Sequence, residues 1–293
     1  MTADSTDSDA RDDTAAPRAA TSRRLGGRAR QAMQLDAAEP IAFHVTIRLS
    51  DDRVIAPASA SQRLATKAFI VHGRSRRMLA FRLADTHGHA VLACSRYEAG
   101  RFAQQLTTSL RKVLKLSVPF EPSRIRPVED QRHLMNCIPY VLRQDARHGL
   151  EPNPSHECSS LPDLLGLRVF GCSAANDLGA FAPRLKPAAL WLECGGVDVT
   201  GVEPDLTHLS DAAAAAWLLP NLRSRTNPCV DAKRAAVHAA RGQLAVAALA
   251  RRLGISERTV YRLAAEPCAP DLVRAVTLQM RLRAAIAARE AEP

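Results

Sequence analysis

Asp85-Thr86-His87-Gly88-His89-Ala90-Val91-Leu92 is the stretch on which the fold turns. Its second half, continued by Ala93 and Cys94, is apolar and reads as a β-strand. Side chains on a strand alternate between faces, so His87 and His89 point the same way and both imidazoles can reach one cation. By itself a His-x-His pair is more often incidental than ligating. Just upstream, Met78-Leu79-Ala80-Phe81-Arg82-Leu83 reads as another strand, and the short link through Asp85 suggests a hairpin.

Further out the pattern alternates. Ile41 to Ile47 carries β-branched and aromatic residues and reads as a strand. Gln62 to Val71 suggests a short helix, or a helix running into a strand. Tyr97 to Leu116 places Phe102, Leu106, Leu110, Val113 and Leu114 at helical spacing. Val118 to Val128 is Pro-rich with strand potential. Arg132 to Asp145 reads as a helix that Pro139 either kinks or begins. Strands interleaved with helices and containing a tight hairpin point to an α+β sandwich built on an antiparallel sheet.

The second chemical stretch is Tyr140-Val141-Leu142-Arg143-Gln144-Asp145-Ala146-Arg147-His148-Gly149-Leu150, a helix end with Gly149 as a C-cap. Tyr140 and Gln144 are four apart and share a helix face. A tyrosine beside a metal-ligating amide suits attack on a phosphodiester: the cation offsets charge on phosphate and the phenol displaces a sugar oxygen. A buried tyrosine with a surface glutamine is the plainer alternative.

Taken together these stretches resemble the HUH endonucleases with a single catalytic tyrosine, within them the transposases associated with repetitive extragenic palindromes and their insertion-sequence relatives. Members carry a Met-Pro-Asn-His-Val-His-Leu-Leu type segment, to which Asp85–Leu92 is similar, and a Tyr-Ile-x-x-Asn-Pro-Val-Arg-Ala-Gly-Leu segment, to which Tyr140–Leu150 is similar without a gap. The interval between the two fits, as does the opening Phe43-His44-Val45-Thr46. Cys158-Ser159-Ser160 followed by Leu164-Leu165-Gly166 resembles the family's Trp-Ser-Ser region. The resemblance spans about Ile41 to Leu167. It implies His87 and His89 as metal ligands, Gln144 as the third ligand, Tyr140 as the nucleophile, and Mg²⁺ or Mn²⁺ as cofactor. It further implies the HUH palm, a ferredoxin- or RRM-like central antiparallel sheet flanked by helices, with the histidines on a middle strand. The chain departs from the pattern at Gly88, where a bulky hydrophobe is expected beneath the metal site. Asp85-Thr86 replaces Pro-Asn, Asp145 replaces Pro, Pro139 precedes the tyrosine, and the Trp of Trp-Ser-Ser is gone.

Composition sets the frame around this centre. The chain has 293 residues, 46% hydrophobic and only 4% aromatic, with a formal net charge of +10. That length supports a real core, the low aromatic content favours Ala/Leu-rich helices, and the basic balance suits a polyanionic partner. Seven cysteines without a Cys-x-x-Cys pair suggest neither a zinc ribbon nor a disulfide framework. With no apolar run of spanning length and an acidic, polar N-terminus, the expected setting is the cytoplasm, with no membrane partner.

Four segments are expected: a disordered tail over 1–40, a catalytic domain over 41–170, an irregular connector over 171–228, and a helical domain over 229–293. In the last, Leu244 to Leu263 reads as a helix-turn-helix. Ala250 is small where helices cross, Gly254 supplies the turn, Ser256 caps the second helix, and Val260 packs back. Glu257, Arg258, Tyr261 and Arg262 would face a duplex groove, while Arg251 and Arg252 would contact phosphates. The expected partner is DNA, single-stranded or hairpin at the catalytic domain and duplex at the helical one, with the protein a monomer or homodimer. The leading expectation is a metal-dependent transposase or nickase. The rival is a domesticated, catalytically weak regulator using the helix-turn-helix, and a third is a metal-dependent phosphodiesterase that leaves Tyr140 unused.

Overall fold

The computed structural model describes residues 39–144, 156–169 and 174–291. Nearly all of the expected tail, the Gly149 cap, the Asp145–Leu150 match and Cys172 lie outside the described residues.

Four strands, β1 (Ala42–Arg48), β2 (Met78–Ala84), β3 (His87–Leu92) and β4 (Arg124–Val128), form one sheet in the order β2-β3-β1-β4. Every neighbouring pair is antiparallel. Helix α1 (Ser59–Gly73) links β1 to β2, and α2 (Arg96–Leu114) links β3 to β4. This β-α-β-β-α-β order is the ferredoxin-like arrangement of an α+β sandwich. The β2–β3 link is a two-residue turn, since Ala84 pairs with His87. Backbone bonds from Leu49 to the Thr86 carbonyl (3.1 Å) and from Ile55 to the Asp85 carbonyl (2.8 Å) anchor that turn.

Alternation sorts the sheet into two faces. Phe43, Val45 and Ile47 of β1 and Ala90 and Leu92 of β3 meet Phe69 of α1 and Phe102 and Leu106 of α2 in one core. Helix α2 is well specified for this role: Ser95 caps it, accepting from the Glu98 amide while Glu98 reaches back, and its apolar residues fall on one stripe. The opposite face carries Ala42 and Val91 against Leu134, Ile138 and Val141 of α3 (Gln131–Leu142).

Gly88 projects into the first core. A Cβ there would sit 3.0 Å from Leu83 Cδ1, 3.2 Å from Phe69 Cζ and 3.3 Å from Ile47 Cγ1. The volume that a hydrophobe would fill is therefore already occupied by its neighbours, and the glycine leaves no void in the core.

Helix α3 differs from expectation at both ends. It begins at Gln131 under an Asp130 cap, so Pro139 lies inside it and denies the Met135 carbonyl its usual donor. It closes at Leu142, where the Gln144 side-chain amide donates to the Tyr140 carbonyl at 2.7 Å. A side chain supplies the C-terminal partner there that a longer helix would draw from its backbone.

Between 171 and 228, where an irregular connector was expected, short helices occur: α5 (Ala174–Phe181), α6 (Pro187–Glu193) and α7 (Leu209–Ala216), after α4 (Leu161–Leu164). Pro187 opens α6 at its first turn, a position where proline starts helices. Then come α8 (Asn227–Ala239), α9 (Val246–Leu253), α10 (Glu257–Ala265) and α11 (Pro270–Ala291). Gly254 ends α9 in the left-handed region at φ 62°, and Ser256 caps α10 through the Thr259 amide. Val260 and Leu263 are buried against Leu249 and Leu253 in an Ala-rich core completed by α7, α8 and α11. Helix α11 also sends Leu282 into the core beneath α3. Residues from Pro40 onward form one compact unit. Among the described residues no helix is long and apolar enough to cross a membrane.

Candidate active site around Tyr140

The α3-side face of the sheet changes character along its length. Ala42 and Val91 are apolar, but towards the hairpin the same face carries His44, Thr46 and Arg48 of β1 beside His87 and His89 of β3. Register causes this juxtaposition: His44 pairs with Val91, Thr46 with His89, and Arg48 with His87. Opposite residues in an antiparallel pair share a face, so these side chains stand together.

Tyr140 lies over them on α3. It is 37% exposed, and its ring meets those of His44 and His89 edge-on, with centroids 5.8 and 5.9 Å away. A cavity of about 220 Å³ opens between helix and sheet. Tyr140, His87, His89 and Gln144, the four residues singled out in the sequence, all line it, together with Thr46, Arg48, Glu121, Pro122 and Arg124. A larger cavity of about 620 Å³ is lined mainly by Ile70, Val71, Trp217, Leu218 and Leu219 and carries none of them.

The polar residues nearest Tyr140 are held in place. His89 Nδ1 lies 3.0 Å from His44 Nε2 and 3.2 Å from Thr46 Oγ1. The His44 and His89 rings stack at 5.1 Å, and His87 and His89 are edge-on at 4.8 Å. Burial, followed by the fields of Arg126 and His133, pushes the His44 pKa down to about 4, so His44 is neutral near pH 7. With the proton on His89 Nδ1, His44 would accept it, and Nε2 would be the His89 nitrogen able to ligate a cation. Gln144 is buried with its amide nitrogen committed to the Tyr140 carbonyl, so its oxygen is the end suited to a cation. Two imidazoles and an amide oxygen thus fit a divalent cation chemically. Among the described residues no group of three His, Cys, Asp or Glu is arranged to hold a metal.

His44, Thr46, Arg48, Glu121 and Arg124 were not anticipated as members of the site. β1's alternation puts His44, Thr46 and Arg48 on one face, and His44 and Thr46 belong to the opening stretch noted in the sequence. Which face that is, and that Glu121 and Arg124 join it, depends on a pairing between distant segments. Cys158–Ser160, noted in the sequence, closes the far edge of the sheet: Ser159 bridges to Arg82, and Ser160 Oγ accepts the Phe81 amide at 3.0 Å.

The residues expected to touch duplex DNA are elsewhere. Arg251 and Arg252 lie in the last turn of α9, and Glu257, Arg258, Tyr261 and Arg262 on α10; all six are exposed. Arg252 is tied to the Leu206 carbonyl at 2.8 Å, and Arg262 lies 4.0 Å from Glu266.

No protein-family model matches the chain, and no curated protein matches it. One solved structure that is similar is a REP-associated tyrosine transposase bound to a REP hairpin, at 13% identity and a TM-score of 0.34, covering 39% of this chain and 72% of that one.

Proposed function

We propose that this protein is a single-tyrosine enzyme of the HUH type that cleaves and rejoins single-stranded DNA through a 5′-phosphotyrosine link on Tyr140. One observation carries the reading. Tyr140 of α3, Gln144 just beyond that helix, and His87 and His89 of β3 line one cavity, with the phenol ring edge-on to His89 at 5.9 Å.

The phenol loses its proton and its oxygen attacks the scissile phosphorus. The bond from phosphorus to the 3′-oxygen breaks, and that oxygen leaves as a hydroxyl after taking up a proton. The tyrosyl phosphate keeps the energy of the broken ester, so a later attack by a 3′-hydroxyl rejoins the strand. Mg²⁺ or Mn²⁺ bound by His87, His89 and Gln144 would offset charge on the non-bridging oxygens. His44 and Thr46 orient the His89 ring, while the bond from Gln144 to the Tyr140 carbonyl ties the third donor to the nucleophile's own residue. Arg48 and Arg124, at the cavity wall, favour entry of a phosphate.

A second reading rests on α10, where Arg258, Tyr261 and Arg262 are exposed beyond a glycine turn. There the chain would be a duplex-binding regulator with a helix-turn-helix, keeping the sheet as a platform.

The test uses the full chain with Mg²⁺ or Mn²⁺ and end-labelled hairpin oligonucleotides carrying single-stranded flanks, resolved under denaturing conditions. A covalent adduct that disappears in Tyr140→Phe and is lost in His87→Ala and His89→Ala supports the first reading. Duplex binding without cleavage favours the second. Cleavage that persists in Tyr140→Phe would instead indicate hydrolysis without a tyrosyl link.

A further inference from the structure

The two edges of the sheet are treated differently. The outer edge of β2 is covered by Cys158–Ser160, whereas among the described residues β4 pairs only with β1. An uncovered edge strand is usually protected by charge or proline. Here β4 reads Arg124-Ile125-Arg126-Pro127-Val128, so both devices are present. Ile125 packs partly against the core on the α1/α2 side, and Val128, at the end of the strand, is fully buried beneath α3.

The arginines do more than guard an edge. Arg126 pairs with His44 and Arg124 with Thr46, so both side chains rise on the tyrosine face rather than the opposite one. Arg124 lines the cavity with Tyr140, and Arg126 is close enough for its field to reach His44. Both are exposed, and neither makes an ion pair with a described residue. The other charged groups facing the site are Arg48, whose partner is Asp52 at 3.4 Å, and Glu121 at the cavity wall. His133, in the first turn of α3, lies on the same side. Two unneutralised guanidinium groups along an open strand, ending at a nucleophile, make a site for successive phosphates.

We infer that Arg124 and Arg126 form a track for the phosphates of single-stranded DNA, carrying the strand along the β4 edge and delivering one phosphodiester to Tyr140. This rests on the reading of the Tyr140 cavity as a phosphodiester site and names the residues that position its substrate. The track touches backbone and not bases, so it contributes affinity and placement without sequence choice. A duplex would need both strands accommodated between α3 and the edge, whereas a single strand presents the one line of charge that two residues on alternate positions match.

The test is the salt dependence of binding to fluorescein-labelled oligo-dT, followed by anisotropy with EDTA present so that no cleavage competes. For a single strand, each phosphate left without its arginine lowers the slope of log K against log salt by about 0.7, so Arg124→Gln/Arg126→Gln should lower it by about 1.4. Between 50 and 200 mM salt that change corresponds to about a sevenfold smaller loss of affinity. Each single Gln variant should give half the change in slope, and Arg124→Lys/Arg126→Lys, which keeps the charge, should stay near wild type. Arg101→Gln/Arg111→Gln, on exposed positions of α2 across the sheet, should leave the slope unaltered. A wild-type slope in the β4 double variant, or an equal fall in the α2 control, overturns the track. Adduct formation separates this from the tyrosine reading. A slope change without any adduct in the wild type leaves the track standing alone as a binding surface. An adduct with no slope change removes the track and keeps the nucleophile.

Discussion

Arg63 of α1 and Glu157, beyond the tyrosine helix, meet in a two-pronged ion pair, with Arg63 2% and Glu157 7% exposed. The same Glu157 carboxylate accepts Arg283 of α11 at 3.0 Å, and Asp211 of α7 bonds both arginines, the Arg283 contact at 2.9 Å. Burial alone would lower the Arg63 pKa, but the hydrogen bond and field of Glu157, followed by those of Asp211, raise it. One ion-pair network, buried at Arg63 and Glu157 and open to solvent at Asp211, therefore joins the sheet's first helix to the segment after the tyrosine and to the C-terminal helices.

Removing one member strands the others. Arg63→Ala leaves Glu157 inside with less compensation and should lower stability by about 3–5 kcal/mol in urea unfolding. Arg283→Ala, which keeps the two-pronged pair intact, should cost less. A loss below about 1 kcal/mol for Arg63→Ala would mean that the pair behaves as a solvated one.

Gly88 is the next test, because it separates the histidines and faces the core. Its missing Cβ would crowd Leu83, Phe69 and Ile47. Phe69 cannot easily yield, since it stacks on Phe81 at 4.8 Å and is fully buried. Gly88→Ala should cost about 1–3 kcal/mol through overpacking, and Gly88→Val more. Phe69→Leu should recover part of the Gly88→Val loss, giving a favourable coupling in a double-mutant cycle. Strict additivity would show that the backbone, and not Phe69, is the obstacle.

Parts of this arrangement were legible because they rest on local rules. The shared face of His87 and His89 follows from strand alternation; Tyr140 and Gln144 line one cavity, although the helix ends at Leu142 between them. The turn at Gly254 and cap at Ser256 follow from residue chemistry alone. What was not legible depends on pairing at a distance. His44 joins the site only because β1 lies between β3 and β4, and the same register turns Arg124 and Arg126 towards Tyr140. Helices α5 to α7 were missed for a different reason. They are only about two turns long and bounded by Pro and Gly, and α7 is apolar and buried on most sides, so none shows a clean apolar period.

Asp163 gives the pH prediction. Its carboxyl is buried against Arg168, with Nη1 3.2 Å away, and desolvation outweighs that cation, lifting the pKa from 3.8 to about 6. A raised pKa means that the folded state holds the proton more tightly than the unfolded one. This contribution to stability is complete below the unfolded value and is lost as pH rises through the folded value. Stability should therefore carry a component that falls between about pH 4 and 6, seen as a declining denaturation midpoint. Asp163→Asn should flatten that component, and an unchanged pH profile in the variant would place the slope on other groups.

His44 tests the cation site without relying on turnover. If its bond to His89 Nδ1 fixes the tautomer and the aim of that ring, its loss should weaken cation binding even though His44 is not itself a ligand. Removing such an outer partner costs about 10–100-fold in metal affinity. Mn²⁺ titration followed by electron paramagnetic resonance should register that loss in His44→Ala, with Tyr140 left in place. His44→Gln can still accept the Nδ1 proton from a similar reach and should recover most of it. Loss in both variants with an unchanged thermal midpoint would mean that His44 ligates directly. Wild-type affinity in His44→Ala would mean that Thr46, at 3.2 Å from the same nitrogen, suffices to hold the ring.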